Sequence, residues 1–187
     1  MQFLYLKKLK NVKQMRLIIA ITGASGVQLG KKFIKYLPKE VEPHIIISKN
    51  AKVVNLKEKA NIKIYSNKNI AAALASGSFG ADAMAIIPTS MNTLGKIANG
   101  IADNLITRAA LVMIKEQKKL LLAPREMPLS PIILENMLKL SNIGVIISPP
   151  ILGYYAKAKK LKDMERFIIG KWYDSLGIKH NLYKRWK

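Results

Sequence analysis

Five short apolar runs, at 16–22, 43–48, 83–87, 120–123 and 145–148, constrain this chain more than any other feature. Arg16 to Thr22 is apolar almost throughout and ends in glycine, the pattern of a strand buried on both faces by crossover helices. Between the runs the apolar period lengthens toward that of a helix. Helices are expected from the glycine turn to about Leu37, where Pro38 stops the first, around Leu94 to Ala98, from Asn104 to Lys118, from Pro131 to about Leu140 and from about Lys162 to Leu176. Strands alternating with helices predict an α/β fold, a doubly wound parallel sheet between two helical layers. Ile62 to Tyr65 reads as a short irregular or edge segment, and 51–68 otherwise as a lysine-rich surface helix.

In such a sheet, ligands bind where the strands end. Three strand ends carry chemistry: Gly23-Ala24-Ser25-Gly26, Pro88-Thr89-Ser90, and Arg125-Glu126 between two prolines. With parallel strands all three open onto one crevice. A glycine turn feeding a helix start offers free N–H groups to a phosphate. Its Gly-x-x-Gly-x-x-x-Gly spacing, though, is neither a dinucleotide fingerprint nor a P-loop. Ser48-Lys49 closes the second strand where a nicotinamide dinucleotide fold places an acid, which counts against NAD. Ser90 reads equally as a ligand or as a helix cap. Arg108 and Lys115, seven residues apart on one helix, share a face and either reach an anion or are ordinary solvated charges. His44, inside a strand, reads as packed rather than catalytic.

Composition excludes several chemistries. The 187 residues suit one domain, and half are apolar, which argues against disorder. With no cysteine there is no disulfide, thiolate site or cysteine nucleophile, and two histidines without metal-ligand spacing leave no zinc site or Ser-His-Asp triad. The net charge of +21 raises a nucleic-acid or anionic-membrane partner. The lysines, however, run from Lys7 to Lys187 without forming a stripe and no aromatic-interleaved motif accompanies them, so a solvated surface favouring anionic substrates is expected, and no nucleic acid. No apolar run approaches the roughly 18 residues that span a bilayer, and no export signal is visible, so a soluble cytoplasmic protein is expected. Residues 1–14 read as a basic extension, 15–176 as the α/β domain, and 177–187, with its aromatics, as a docking tail.

The order of short motifs is more specific. Gly23-Ala-Ser-Gly26, Ser48-Lys49, Ser76-Gly-Ser-Phe79, Pro88-x-Ser-x-x-Thr93, Thr107-Arg-Ala-Ala110, Lys115-Glu116, Arg125-Glu-x-Pro128, Pro149-Pro150 and Tyr154-Tyr155 follow one another as in the UbiX/Pad1 family of flavin prenyltransferases, which the chain resembles from Arg16 to Trp186. The resemblance implies a Rossmann-like flavoprotein sandwich. It implies transfer of the dimethylallyl group of dimethylallyl monophosphate to N5 and C6 of reduced FMN, without a metal, giving prenylated FMN for UbiD-type decarboxylases. It also implies a homododecamer with sites between subunits, in which 177–187 is an oligomerisation tail docking on neighbours.

Carried to matching positions, the resemblance assigns Gly23, Ala24, Ser25, Ser48, Ser90, Met91, Asn92, Thr93, Arg108 and Arg125 to FMN. It assigns Lys115, Arg125, Tyr155 and Lys171 to the isoprenyl phosphate. Ser25, Glu126, Lys115 and Arg125 become the catalytic set, with Glu126 and Ser25 assisting proton movement. Departures from the family pattern are Thr89 for a frequent cysteine, Asn92 for a lysine, Met127 for a threonine and Ala158 for a proline, while Lys171 occupies a position shared in the family by arginine and lysine. Two alternatives stand beside this reading. A related flavoprotein that decarboxylates cysteinyl substrates is expected to use a histidine after the first helix and a catalytic cysteine, neither of which this chain has, and the other alternative is a non-catalytic nucleic-acid binder.

Overall fold

A computed structural model describes residues 14–49, 51, 62–156 and 158–185. The apolar runs form the strands β1 (Met15–Ile21), β2 (Val41–Ile47), β4 (Ala83–Thr89), β5 (Lys119–Pro124) and β6 (Ile146–Ile147). The 62–65 segment is a true edge strand, β3 (Lys63–Ser66), paired in parallel with β2 from His44 onward. All six strands form one sheet in the order β3-β2-β1-β4-β5-β6, with every pairing parallel.

Two cores explain the continuous apolar character of the central strands. Leu17, Ile19 and Ile21 of β1 face helices α1 (Val27–Lys35) and α5 (Leu161–Leu176), whereas Ile18 and Ala20 face α2 (Met91–Ala98), α3 (Leu105–Lys115) and α4 (Pro131–Asn142). Side chains alternate along a strand, so a sheet covered twice needs apolar residues at every position. One close approach sets the α1 layer: a Cβ at Gly30 would lie 2.4 Å from the Ile87 carbonyl oxygen of β4.

Helix starts follow their caps. The Ser90, Asn104 and Ser130 side chains each accept from a backbone N–H of the first turn, and Pro131 stands at the start of α4. α3 stops at Lys115, three residues short of the expected Lys118, where Gln117 takes a left-handed φ of 52°. Between β3 and β4 a 3-10 turn forms at Ala73–Ala75. Residues 1–13 of the expected basic extension, and 52–61 of the expected lysine-rich helix, lie outside the described residues.

After α5 the chain turns at Gly177 (φ 82°) and folds back on its own helix, burying Ile178. Asp174 holds this tail: Arg185 Nη2 donates to it at 2.6 Å, the Tyr183 hydroxyl donates as well, and His180 Nε2 lies 3.1 Å away. Burial works against the charged carboxylate, but the hydrogen bonds from Arg185, Tyr183 and His180 prevail and hold its pKa at about 2 rather than 3.8. A depressed folded pKa contributes stability above the unfolded value and loses it as pH falls through the folded one. The melting temperature of the parent should therefore exceed that of Asp174→Asn above about pH 4, and the gap should close as pH falls toward about 2. Thermal melts of both proteins across that range check it.

Candidate functional site

The chain reverses its direction of travel across the sheet between β1 and β4, and ligands bind at such a switch point. Here the strand ends are tied. Thr22 Oγ1 donates to the Pro88 carbonyl at 2.7 Å and accepts from the Ser90 N–H at 2.8 Å, which joins the end of β1 to the end of β4. Thr89 Oγ1 donates to the Ile86 carbonyl at 2.7 Å and accepts from the Ala123 N–H at 3.1 Å, which joins β4 to β5 across an irregular register. Neither threonine was singled out as a site residue from the sequence. The available signal was a hydroxyl at the end of an otherwise apolar buried run.

Around this knot the expected residues fall into two groups. At the crevice, Gly26 takes φ 104°, open to glycine, and α1 begins with no side-chain cap and no acid in its first turn. Its leading N–H groups and the exposed Ser25 are available to an anion, with Gly23 and Ala24 in the same turn. Ser48, just past the end of β2, has a buried Oγ that finds no partner among the described residues. Ser90 proves to be the cap of α2: its Oγ accepts from Thr93 N–H at 3.3 Å and lies 3.0 Å from Thr93 Oγ1, which places Met91, Asn92 and Thr93 in the first helical turn over the crevice.

Arg125 and Glu126 are exposed just beyond the end of β5, and among the described residues they form no ion pair with each other. Glu126 Oε1 instead accepts from Met127 N–H at 3.2 Å. Tyr155 is exposed in the 3-10 turn Tyr154–Ala156, edge-on to Phe167 at 5.3 Å. Lys171 is exposed on α5 next to Trp172, whose indole donates to the Ser148 carbonyl at 3.0 Å beyond β6.

Lys115 does not join them. It ends α3, pairs with Glu116 at 3.0 Å, and precedes the first residue of β5, whereas Arg125 follows the last. Six strand residues at about 3.3 Å each put the two cations roughly 20 Å apart, at opposite ends of the sheet. Arg108, exposed in the second turn of α3, has no described contact that draws it to the crevice. His44 is packed, as expected: Tyr65 Oη lies 3.1 Å from Nδ1, Phe79 stacks edge-on at 4.8 Å, and burial pushes its pKa down. Among the described residues no cluster of three metal-ligating side chains occurs.

The Flavoprotein family matches residues 6–172. The flavin prenyltransferase UbiX of Helicobacter pylori (strain ATCC 700392 / 26695) is 49% identical over 185 residues, 92% of this chain and 98% of that protein. Among solved structures, a UbiX protein in complex with FMN and dimethylallyl pyrophosphate superposes with a TM-score of 0.86 at 36% identity, covering 93% of this chain and 98% of that one. A dodecameric FMN-dependent UbiX-like decarboxylase from Escherichia coli O157:H7 superposes at 0.85 with 39% identity, covering 92% and 100%.

This chain belongs to the UbiX family of flavin prenyltransferases. For a UbiX protein, the knot at the switch point is what holds the crevice open between a glycine turn and an arginine-carboxylate pair. Thr22→Val would leave the Ser90 N–H without its buried partner and the Pro88 carbonyl with only the longer 3.4 Å bond from the backbone N–H of residue 22. It should lower unfolding stability by about 1–3 kcal/mol. A shift of the denaturation midpoint at unchanged slope is the readout.

Proposed function

We propose that this chain joins the dimethylallyl group of dimethylallyl monophosphate to N5 and C6 of reduced FMN, and that the prenylated FMN serves a UbiD-type decarboxylase. One observation carries the reading: an uncapped helix start and an unpaired Arg125-Glu126 stand across a crevice whose strand ends are tied together, in a chain of this family. A relative of that family holds FMN with a dimethylallyl donor. The residues fit FMN, since Ser48 Oγ is a buried hydroxyl that lacks a partner among the described residues and the start of α1 has no side-chain cap and can meet an anion.

Reduced FMN supplies the nucleophilic ring atoms. The chain supplies the rest. Gly23, Ala24, Ser25, Ser48, Ser90, Met91, Asn92, Thr93, Arg108 and Arg125 are assigned to holding it. Breaking the allylic C–O bond leaves a cationic carbon and a departing phosphate dianion, so Arg125, Tyr155 and Lys171 act by holding that phosphate as its charge grows. Glu126 and Ser25 hold and move the protons at N5 and C6.

Lys115 needs a second copy. Because it stands at the far end of β5 from Arg125, its part in binding the donor phosphate is made across a subunit boundary. The apolar surface for such an assembly is present: α4 buries only Leu140, while Ile132 is 71% and Leu138 62% exposed. With a dodecameric relative of the same fold, this face is assigned to a homododecamer. The catalytic unit is residues 15–176, working in the cytoplasm on water-soluble phosphates; among the described residues no helix is long and apolar enough to cross a membrane.

Anaerobic incubation with reduced FMN and dimethylallyl monophosphate should add one five-carbon unit to the extracted flavin, seen by mass spectrometry. Bound flavin returned unmodified would overturn the reading. Glu126→Gln should keep FMN and lose about a hundredfold or more in turnover, in the range of general acid-base contributions. Leu138→Lys should reduce the assembly to smaller species by light scattering and lose turnover with it, since Lys115 no longer meets a neighbour's crevice.

A further inference from the structure

Phe167 is 5% exposed and lies between two tyrosines of separate origin. Tyr155, from the turn before α5, meets it edge-on with centroids 5.3 Å apart at 87°. Tyr183, from the tail, meets it at 5.1 Å and 65°. The backbone leaves no slack around this stack. A Cβ at Gly153, in the Tyr155 loop, would lie 2.4 Å from Phe167 Cε1, and one at Gly170, in α5, would lie 2.5 Å from Tyr183 Cδ1 and 2.8 Å from His180 Cε1. Loop, helix and tail therefore interlock through two positions that admit no side chain.

The far end of the stack is anchored at Asp174. His180 Nδ1 accepts from Leu182 N–H at 3.1 Å, so Nε2 carries the ring proton toward Asp174 Oδ1. The Arg185 guanidinium donates to the same carboxylate and also lies over the Tyr183 ring, 5.7 Å from its centroid. An exposed arginine-carboxylate pair by itself contributes little. Here the carboxylate gathers Arg185, Tyr183 and His180, and their common effect is to press one ring against Phe167. On the open side, a cavity of about 440 Å³ borders Ala156, Ala158, Phe167 and Tyr183, so the Tyr155 turn has room to shift once that ring is gone.

We propose that residues 177–185 are a clasp that sets the position of Tyr155 through Phe167, so that the tail governs how tightly the donor phosphate is held. The inference rests on the assignment of Tyr155 to that phosphate. Tyr183 and Asp174 act through another residue and are positioning residues.

The test is steady-state kinetics on the intact assembly with dimethylallyl monophosphate varied and reduced FMN saturating. Tyr183→Leu should raise KM for the donor about tenfold, equivalent to about 1.4 kcal/mol, with kcat within about twofold. FMN affinity and assembly size should not change. Tyr183→Phe keeps the stack and should recover most of the loss, and Gly170→Ala, which displaces the ring, should reproduce it. Should Tyr183→Leu fail to assemble, Asp174→Asn is the second variant, expected to raise the same KM by a smaller factor. An unchanged donor KM in these variants, or a parallel fall in FMN and donor affinity, would overturn the clasp. If the parent itself shows no saturable dependence on the donor, the Tyr155 assignment fails first and takes the clasp with it; a normal parent beside an unaltered Tyr183→Leu removes the clasp alone.

Discussion

The Thr22 hydroxyl is the constraint on which the rest of the site depends. Between β1 and β4 the chain leaves in opposite directions, and the strand ends need a bond outside the regular ladder to stay together. Thr22 supplies it in both senses, donating to Pro88 and accepting from Ser90. Ser90 is in turn the cap of α2, so one buried side chain aligns the end of a strand with the start of a helix. Thr89 extends the same device to β5 and so to the backbone that presents Arg125 and Glu126. Because both hydroxyls are buried and fully bonded, the crevice has a rigid floor against which exposed residues are displayed.

The two ends of the sheet carry different parts of the proposed chemistry. Anion-binding amides, hydroxyls and the arginine-carboxylate pair lie at the carboxyl ends of the strands, while Lys115 and Glu116 lie at the amino end of β5. Under the proposed assignment of Lys115, one copy presents two partial sites that complete each other between copies. The apolar surface of α4 has the same logic, since a helix that buries a single leucine against its own sheet is built to be covered by something else. On that reading catalysis and assembly are one property rather than two.

Much of the architecture was legible because burial on both faces leaves a plain mark. The central strands are apolar along most of their length, and each run from 16 to 123 became a strand within a residue or two of its expected limits. Boundaries failed where local geometry prevailed over period. Gln117 turns left-handed and ends α3 early, and β6 keeps only two ladder residues, whereas the edge segment expected at 62–65 does pair with β2. The site residues at 23–26, 90–93 and 125–126 were legible as polar clusters at strand ends. Thr22 was not, because a threonine inside an apolar run looks like β propensity until its bonds are seen.

By itself the sequence determined the layering, the parallel sheet, the absence of thiol chemistry and the order of motifs that places the chain in its family, since periodicity and residue identity are local properties. Only the tertiary structure decided which of those motifs meet. Arg125 and Lys115 are ten residues apart in the chain, yet a strand between them holds them at opposite ends of the sheet, while Tyr155 and Tyr183, nearly thirty residues apart, close on one phenylalanine. An extended strand separates neighbours in sequence and a returning tail brings distant residues together, and neither outcome is written in the spacing of the residues concerned.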